Sequence, residues 1–549
     1  MAGNNYYNDN DYRRYEQERA ARNRRRAELR RKQARRRHIL YACIAVLLLV
    51  IVLVPVVNFM YRSKNKKTDG GADTVYQENT VQNENGTQTG LSSDGNNSDG
   101  AVTVSGDSQD DGSGSASSGS DTASTDTAAS EGVSGTDVMS QAQLMAAQYD
   151  YDGAIALLQE KADSADSSVA DAINKYTDAK ANCYAVDVTT VPHVFFHSLI
   201  NDDRAFDVNT LGADRVRANN AAMTTVTEFN TMIEDMYEAG YVLVSLDDLC
   251  VKTQNADGTT AISKNTSLML PQGKKALIMS EDDLSYYHSY GIGTQGYATK
   301  MVLDENGKPK CEYTDENGET HIGDYDMVPL IDSFIEQHPD FSYHGARPTV
   351  ALTGYNGVLG YRTNDYYKDI NDPHLDPDQI QWLKDHPDYS YEKDCADATA
   401  IAEAMKAEGW TFASHTYGHL NATDTSAEKL QADNERWKIA AGSIVGPTDK
   451  IIFAFGADIG QVGGYTEDNQ KFTYFRSQGF DIFCNVDGNI GWTEFGKDYM
   501  RTGRVALDGY TMYQAMNSQD PYASDYEKLG IHDVSTFFNS KRPTPITSE

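Results

Sequence analysis

The chain predicts an α/β fold: a distorted or incomplete (β/α) barrel, preceded by a helical hairpin, a disordered linker and one transmembrane helix. Three observations predict it. From Ala185 onward, apolar β-rich runs alternate with amphipathic helical runs, as parallel strands joined by helices require. Before that lies a stretch built almost wholly of Ser, Gly, Asp, Thr and Asn. Near the start, 19 residues in succession carry no charge.

Residues 1–38 read as a basic cytoplasmic tail, with arginines crowding between Arg13 and Arg37. Residues 39–58 read as a transmembrane helix. Its core, ILYACIAVLLLVIVLVPVV, would span about 28 Å as a helix, close to the hydrocarbon thickness of a bilayer. The arginine-rich flank outweighs Arg62, Lys64, Lys66 and Lys67 on the other side, which predicts a cytoplasmic N-terminus. No small-residue cleavage site follows promptly, so the segment reads as an uncleaved single-pass anchor at the cell membrane, with the remainder extracellular.

Residues 59–137 read as a disordered linker. Runs such as SGDSQDDGSGSASSGSD lack the apolar content to offset ordering entropy. As a flexible coil, roughly 70 residues reach about 45–50 Å. Residues 138–184 read as a helical hairpin, because Met139, Leu144, Ala147, Tyr151, Ala154, Leu157 and Leu158 recur near a 3.6-residue period, with the turn near Asp152-Gly153. A single tetratricopeptide-like repeat is the alternative.

Residues 185–549 read as the main folded domain. Strand-like VPHVFFHSL is followed by the helical VTEFNTMIEDMYEAGY, then by KKALIMS, RPTVALTGY, ATAIAEAMKAEGW, TFASHTYGH and KIIFAFG. An open sheet is the alternative to a barrel. Residues 291–324 read as a turn-rich insertion. The net charge of −33 excludes nucleic acid as the main partner, since phosphate binding needs a basic face. Six cysteines are too few and too scattered for a disulfide scaffold or zinc finger; five lie beyond the membrane span, enough for one or two disulfides whose pairing stays open.

Two segments carry chemistry. Glu281-Asp282-Asp283 directly follows an apolar strand, a place natural to catalytic carboxylates at the mouth of an α/β domain and also to a polar turn or helix cap. His415-Thr416-Tyr417-Gly418-His419 sets two imidazoles four residues apart, able to share one metal on a helix or tight turn; a chance surface pair is the alternative. His197 suits either a site wall or a hydrogen-bonded core position, and Trp410 and Phe412 suit the core.

In order and spacing, S-E-D-D and H-T-Y-G-H resemble the first two motifs of the polysaccharide deacetylase (NodB-homology) family, T-F-D-D and H-[ST]-x-x-H. The resemblance runs over most of residues 191–487 and includes VPHVFFHSL, AEGWTFASHTYGH and FRSQGFDIFCNVD. It implies a barrel of the NodB-homology type in a membrane-anchored form from a Gram-positive-type bacterium. It implies a divalent metal, zinc first, on Asp283, His415 and His419, with Asp282 as general base. The backbone N–H of Phe455 is implied as the oxyanion donor, and Asp487 and Trp492 resemble the substrate-binding D-x-x-x-W of the fourth motif, though a plain turn also fits them. The activity implied is removal of N-acetyl (or O-acetyl) groups from a cell-wall or extracellular polysaccharide such as an N-acetylglucosamine polymer or peptidoglycan.

The chain departs from the family at three places. Phe453-Ala454-Phe455-Gly456 has neither the proline nor the arginine of the third motif; Arg501 and Arg504 are candidates to stand in for that arginine near Asp282, against a surface location. RTGRVALDG lacks the histidine of the last motif, and His532 in GIHDVS does not match it, leaving Asp282 to carry both proton transfers. Glu281 replaces an aromatic. A catalytically impaired relative that binds glycan, and a surface scaffold working through its helical segment, are the competing functions.

Overall fold

Period-2 alternation in one strand sorts the core of this protein. In the computed structural model, which describes residues 135–547 except 163–165, 257, 292 and 461–463, the strand Lys275–Asp282 is buried along all but its first residue. Successive strand side chains face opposite ways. Leu277 and Met279 pack outward against helices, whereas Ala276 and Ile278 pack inward with Ala351, Ala413, Ile452 and Cys484. The same parity puts Ser280 and Asp282 on the inner face and Glu281 on the outer one.

The sheet strands are β1 (His193–His197), β2 (Tyr241–Leu243), β3 (Lys275–Asp282), β4 (Thr349–Leu352), β5 (Thr411–Ser414), β6 (Lys450–Ile452), β7 (Ile482–Asn485), β8 (Trp492–Phe495), β9 (Met500–Gly503) and β10 (Val505–Ala506). Their order is β8-β9-β7-β6-β5-β4-β3-β1-β10, with β2 also beside β3, and only β8 runs antiparallel to its neighbour. β9 pairs with β7, while β10, one residue further along the chain, pairs with β1. One stretch thus links the two sides of the sheet, which curls as an incomplete barrel. Arg504 is the residue at the seam.

Helices α1 (Gly135–Ala147), α2 (Tyr151–Lys161) and α3 (Ser167–Ala181) precede the barrel, so the expected hairpin is extended by a third helix. The first turn falls earlier than Asp152-Gly153: Tyr149 takes φ 69°, and the Asp150 side chain accepts the Gly153 N–H at 2.8 Å. The buried stripe is Val138, Ala142 and Ala146, whereas Leu144 is 49% exposed. Small residues at i and i+4 let α1 approach its neighbours closely, so size misled the periodicity.

Within the barrel layer, α4 (Val226–Glu238) opens on a capping box between Thr225 and Glu228 and buries Phe229, Met232, Ile233 and Met236. The outer layer also holds α5 (Met327–Gln337) and α6 (Tyr391–Glu408), and α7 (Ala427–Trp437) follows β5. Trp410 and Phe412 lie in that core. The expected turn-rich insertion is an antiparallel sheet of Ala298–Leu303, Pro309–Thr314 and Thr320–Gly323, whose turns are built on Asp304 and Asp315. The five described cysteines are free thiols. The expected basic tail (1–38), transmembrane helix (39–58) and linker up to residue 134 lie outside the described residues. Among the described residues, no helix is long and apolar enough to cross a membrane.

Candidate metal centre

Asp282 ends β3 facing the barrel interior. The next residue would ordinarily face away, but Asp283 adopts φ 66°, and this left-handed turn brings its carboxylate to the same side. Such a conformation costs about 1–2 kcal/mol for a residue with a Cβ. The Asp283 N–H donates to the Ala351 carbonyl at 3.1 Å and holds the turn on β4.

His415 follows β5 directly, and its backbone N–H donates to the Leu352 carbonyl at 2.9 Å. Its Nδ1 lies 2.7 Å from the Ile452 carbonyl oxygen. A carbonyl can only accept, so Nδ1 carries the proton and Nε2 keeps its lone pair. The segment from His415 to His419 is a loop rather than a helix, with left-handed residues at Thr416 (φ 63°) and His419 (φ 51°). It brings the two imidazole centroids to 5.1 Å.

Asp283, His415 and His419 each offer one ligand atom within 4.8 Å of the others. The Asp283 oxygens lie 3.8 Å from His415 Nε2 and 3.6 Å from His419 Nε2. Bonds of about 2.0–2.1 Å to a tetrahedral ion would set donors roughly 3.4 Å apart. Donor chemistry, tautomer and spacing therefore fit a divalent ion such as zinc, held by two imidazoles and one carboxylate. Burial lowers the His419 pKa to about 4 despite the opposing charge of Asp283, so the ring is neutral at physiological pH.

Asp282 receives the Arg504 guanidinium as a fork, Nη1 at 2.7 Å and Nη2 at 2.9 Å. Burial pushes the Asp282 carboxyl up, but Arg504 and then His415 outweigh it and hold it well below the usual range. Arg504 is fully buried, which corrects the surface reading; strand parity with Met500 and Thr502 aims it inward. Its charge also lies over the Phe195 ring, and Nη1 reaches Ser280 Oγ at 3.2 Å. Arg501 instead donates to Asp458 and Glu494.

His197, at the end of β1, pairs in register with Asp282, and its charge bears on Asp282, Asp283 and His419. Sequence reasoning leaves it undecided; its parity with His193 and Phe195 is the signal that could have placed it. Phe455 is 40% exposed, has φ 59° and sets its ring 4.3 Å from that of His419. Asp487 and Trp492 meet over Gly503, where a Cβ would lie 2.5 Å from Asp487 Oδ1 and 3.1 Å from the Trp492 ring. His532 is exposed, and its charge acts on Asp235 of α4. Glu281 faces Asp326 on the outer face, where burial and that neighbour push its carboxyl well above the usual range.

Tyr287 has no signal in the sequence. Its buried hydroxyl donates to Asp283 Oδ1 at 2.6 Å and accepts from the Thr353 hydroxyl, also at 2.6 Å. Hydrogen bonds to ligating carboxylates orient them, and losing one typically weakens metal affinity by about 10–100-fold. Tyr287→Phe is expected to weaken zinc binding by about that factor, measured by competition with a chromogenic chelator, with little change in secondary structure by circular dichroism.

No family model matches the chain, and none of the curated proteins matches it. Among solved structures, it is similar to the Streptococcus pyogenes deacetylase PplD in complex with acetate, at 11% identity over 58% of this chain and 92% of that one, with a TM-score of 0.29. It is also similar to the BpsB deacetylase domain from Bordetella bronchiseptica, at 12% identity over 58% of this chain and 97% of that one, with a TM-score of 0.27.

Proposed function

We propose that this chain is a metal-dependent hydrolase, and within that class a deacetylase. Its substrate in this reading is an N-acetylated (or O-acetylated) polysaccharide of the cell wall or cell exterior, such as an N-acetylglucosamine polymer. The observation that carries the reading is the meeting of three metal-type donors, Asp283, His415 and His419, beside a carboxylate that an arginine fork holds ionised. A structural metal site has no use for Asp282 in that state.

A divalent ion on those donors would supply Lewis acidity, polarising an acetyl carbonyl and lowering the pKa of attacking water. Asp282, fixed in plane by Arg504, accepts the proton of that water. Its low pKa makes it a weak base that gives the proton up readily. His197, beside it on β1, delivers a proton to the leaving amine in the acid role that the sequence left to Asp282 alone, and the proton that Asp282 gives up restores it. The backbone N–H of Phe455 is the proposed donor to the oxyanion, and Asp487 and Trp492 form the proposed sugar-binding wall. The same reading takes residues 39–58 as a membrane anchor, on their uncharged sequence, and the wall glycan outside as the substrate.

The test is acetate release by the purified exterior domain from chitooligosaccharide and from peptidoglycan. Activity is expected to vanish with a chelator and return with zinc. A fully metal-loaded protein that releases no acetate from either polymer would favour glycan binding instead. His197→Gln is expected to slow turnover about 10²- to 10⁴-fold, the range for loss of a positioned proton donor, while His532→Ala leaves it unchanged. Loss of activity in His532→Ala but not in His197→Gln would reverse the assignment.

A further inference from the structure

The loop between the two metal-type histidines is unfavourable on its own. Thr416 and His419 both sit in the left-handed region, and neither is glycine. Such a conformation persists only where neighbours over-determine it. Its ends are fixed by β5 and by the Leu420 N–H donating to Thr416 Oγ1 at 2.7 Å. The centre of the loop is gripped from elsewhere. Asp433, on α7, accepts the Tyr417 N–H on Oδ2 at 2.7 Å and the Gly418 N–H on Oδ1 at 2.9 Å. On the other side, the N–H groups of Gly354 and Tyr355 donate to the Tyr417 carbonyl at 3.0 and 3.2 Å.

We propose that Asp433 is a positioning residue for the metal centre, one carboxylate holding two consecutive N–H groups so that His415 and His419 converge. This inference rests on the metal-site reading above.

Two further observations separate it from ordinary helix packing. The seat of α7 does not depend on Asp433: Trp437 Nε1 donates to the Leu352 carbonyl at 2.7 Å, and Leu430 is buried in the adjoining core. Gly418, moreover, has no positive φ to require glycine. A Cβ there would lie 3.2 Å from Asp433 Oδ1, tighter than ordinary contact, so the absent side chain makes room for the carboxylate. Burial raises the Asp433 carboxyl to about 6, against the two N–H groups that favour its charged form.

Asparagine keeps the shape of Asp433 but sets an NH2 against one of the two N–H donors. Asp433→Asn should therefore release half of the grip, and Gly418→Ala should crowd Oδ1 and loosen its hydrogen bond. The experiment measures zinc affinity by chelator competition on the purified full-length chain, with the melting temperature of the metal-free protein taken in parallel. Each variant is expected to bind zinc about 10–100-fold more weakly than wild type, the range for loss of an outer-shell partner. Their metal-free melting curves should stay close to wild type, and acetate release should recover as zinc is raised. Unchanged zinc affinity in both variants overturns the proposal. So does a fall in metal-free melting temperature large enough to account for the weaker binding, since Asp433 would then be structural only. If wild type itself binds no zinc, the metal-site reading fails instead, a distinct outcome.

Discussion

Asp282→Asn is expected to abolish turnover while the protein keeps most of its metal. Asp282 points at the shared space of Asp283, His415 and His419, yet it is not among the three converging donors, and its two oxygens are taken up by Arg504. An amide in its place can still accept one guanidinium N–H but cannot take a proton from water. Loss of a positioned acid–base group costs about 10²- to 10⁴-fold in rate. The upper end is expected here, because His197, the proposed acid, is no substitute for the missing base. The substitution also leaves a buried arginine without a counter-charge, and breaking a buried pair from one side typically destabilises by about 3–5 kcal/mol. Denaturation must therefore be measured beside kinetics and zinc content. The expected pattern is a folded, less stable protein with bound zinc and no acetate release. Equal loss of zinc in Asp282→Asn and in a histidine variant would show that Asp282 is a ligand rather than the base.

Removing either imidazole is expected to empty the centre. His415→Ala or His419→Ala leaves two donors where a catalytic zinc site uses three, so stoichiometric zinc should fall to background by elemental analysis, with activity lost in step. The two variants should differ in one respect. His415 is buried and its Nδ1–H donates to the Ile452 carbonyl, whereas His419 is partly exposed and, among the described residues, no ring hydrogen bond ties it to the backbone. His415→Ala should therefore also lower the metal-free melting temperature, since it opens a cavity and orphans a buried carbonyl. His419→Ala should leave that temperature nearly unchanged. For both, the zinc-dependent rise in melting temperature disappears. At zinc 100-fold above Kd that rise corresponds to about 2.7 kcal/mol in wild type. A normal zinc-dependent rise in His419→Ala would remove His419 from the ligand set.

Much of the centre is legible in the amino-acid sequence because its residues sit in two short segments. Asp282 and Asp283 are adjacent, and His415 and His419 are four apart, so order and spacing alone mark them out. Alternating strand and helix patterns likewise announce parallel strands with helices outside, since period-2 and period-3.6 burial are local properties of the chain. Local pattern also has its failures. The large residues of α1 point to Leu144, while the packing uses Ala142 and Ala146, because close helix approach rewards small side chains.

What the tertiary structure decided is everything that reaches the centre from far along the chain. Arg504 meets Asp282 across 222 positions, and it does so because the chain crosses there from β9, beside β7, to β10, beside β1. His197 gains its place from the register of β1 on β3, and a slip of one residue would turn it outward. Asp433 reaches the histidine loop from a helix whose own pattern shows only which face is apolar. Tyr287, four residues from Asp283, is close in sequence, but no periodicity says that its hydroxyl turns back onto the carboxylate. Which groups could bind a metal, and the kind of fold that would carry them, are properties of short segments and are legible in the chain. Sheet topology, strand register and helix docking determined which arginine, which third imidazole and which carboxylates hold that set in place, because those are relations between segments that no single segment encodes.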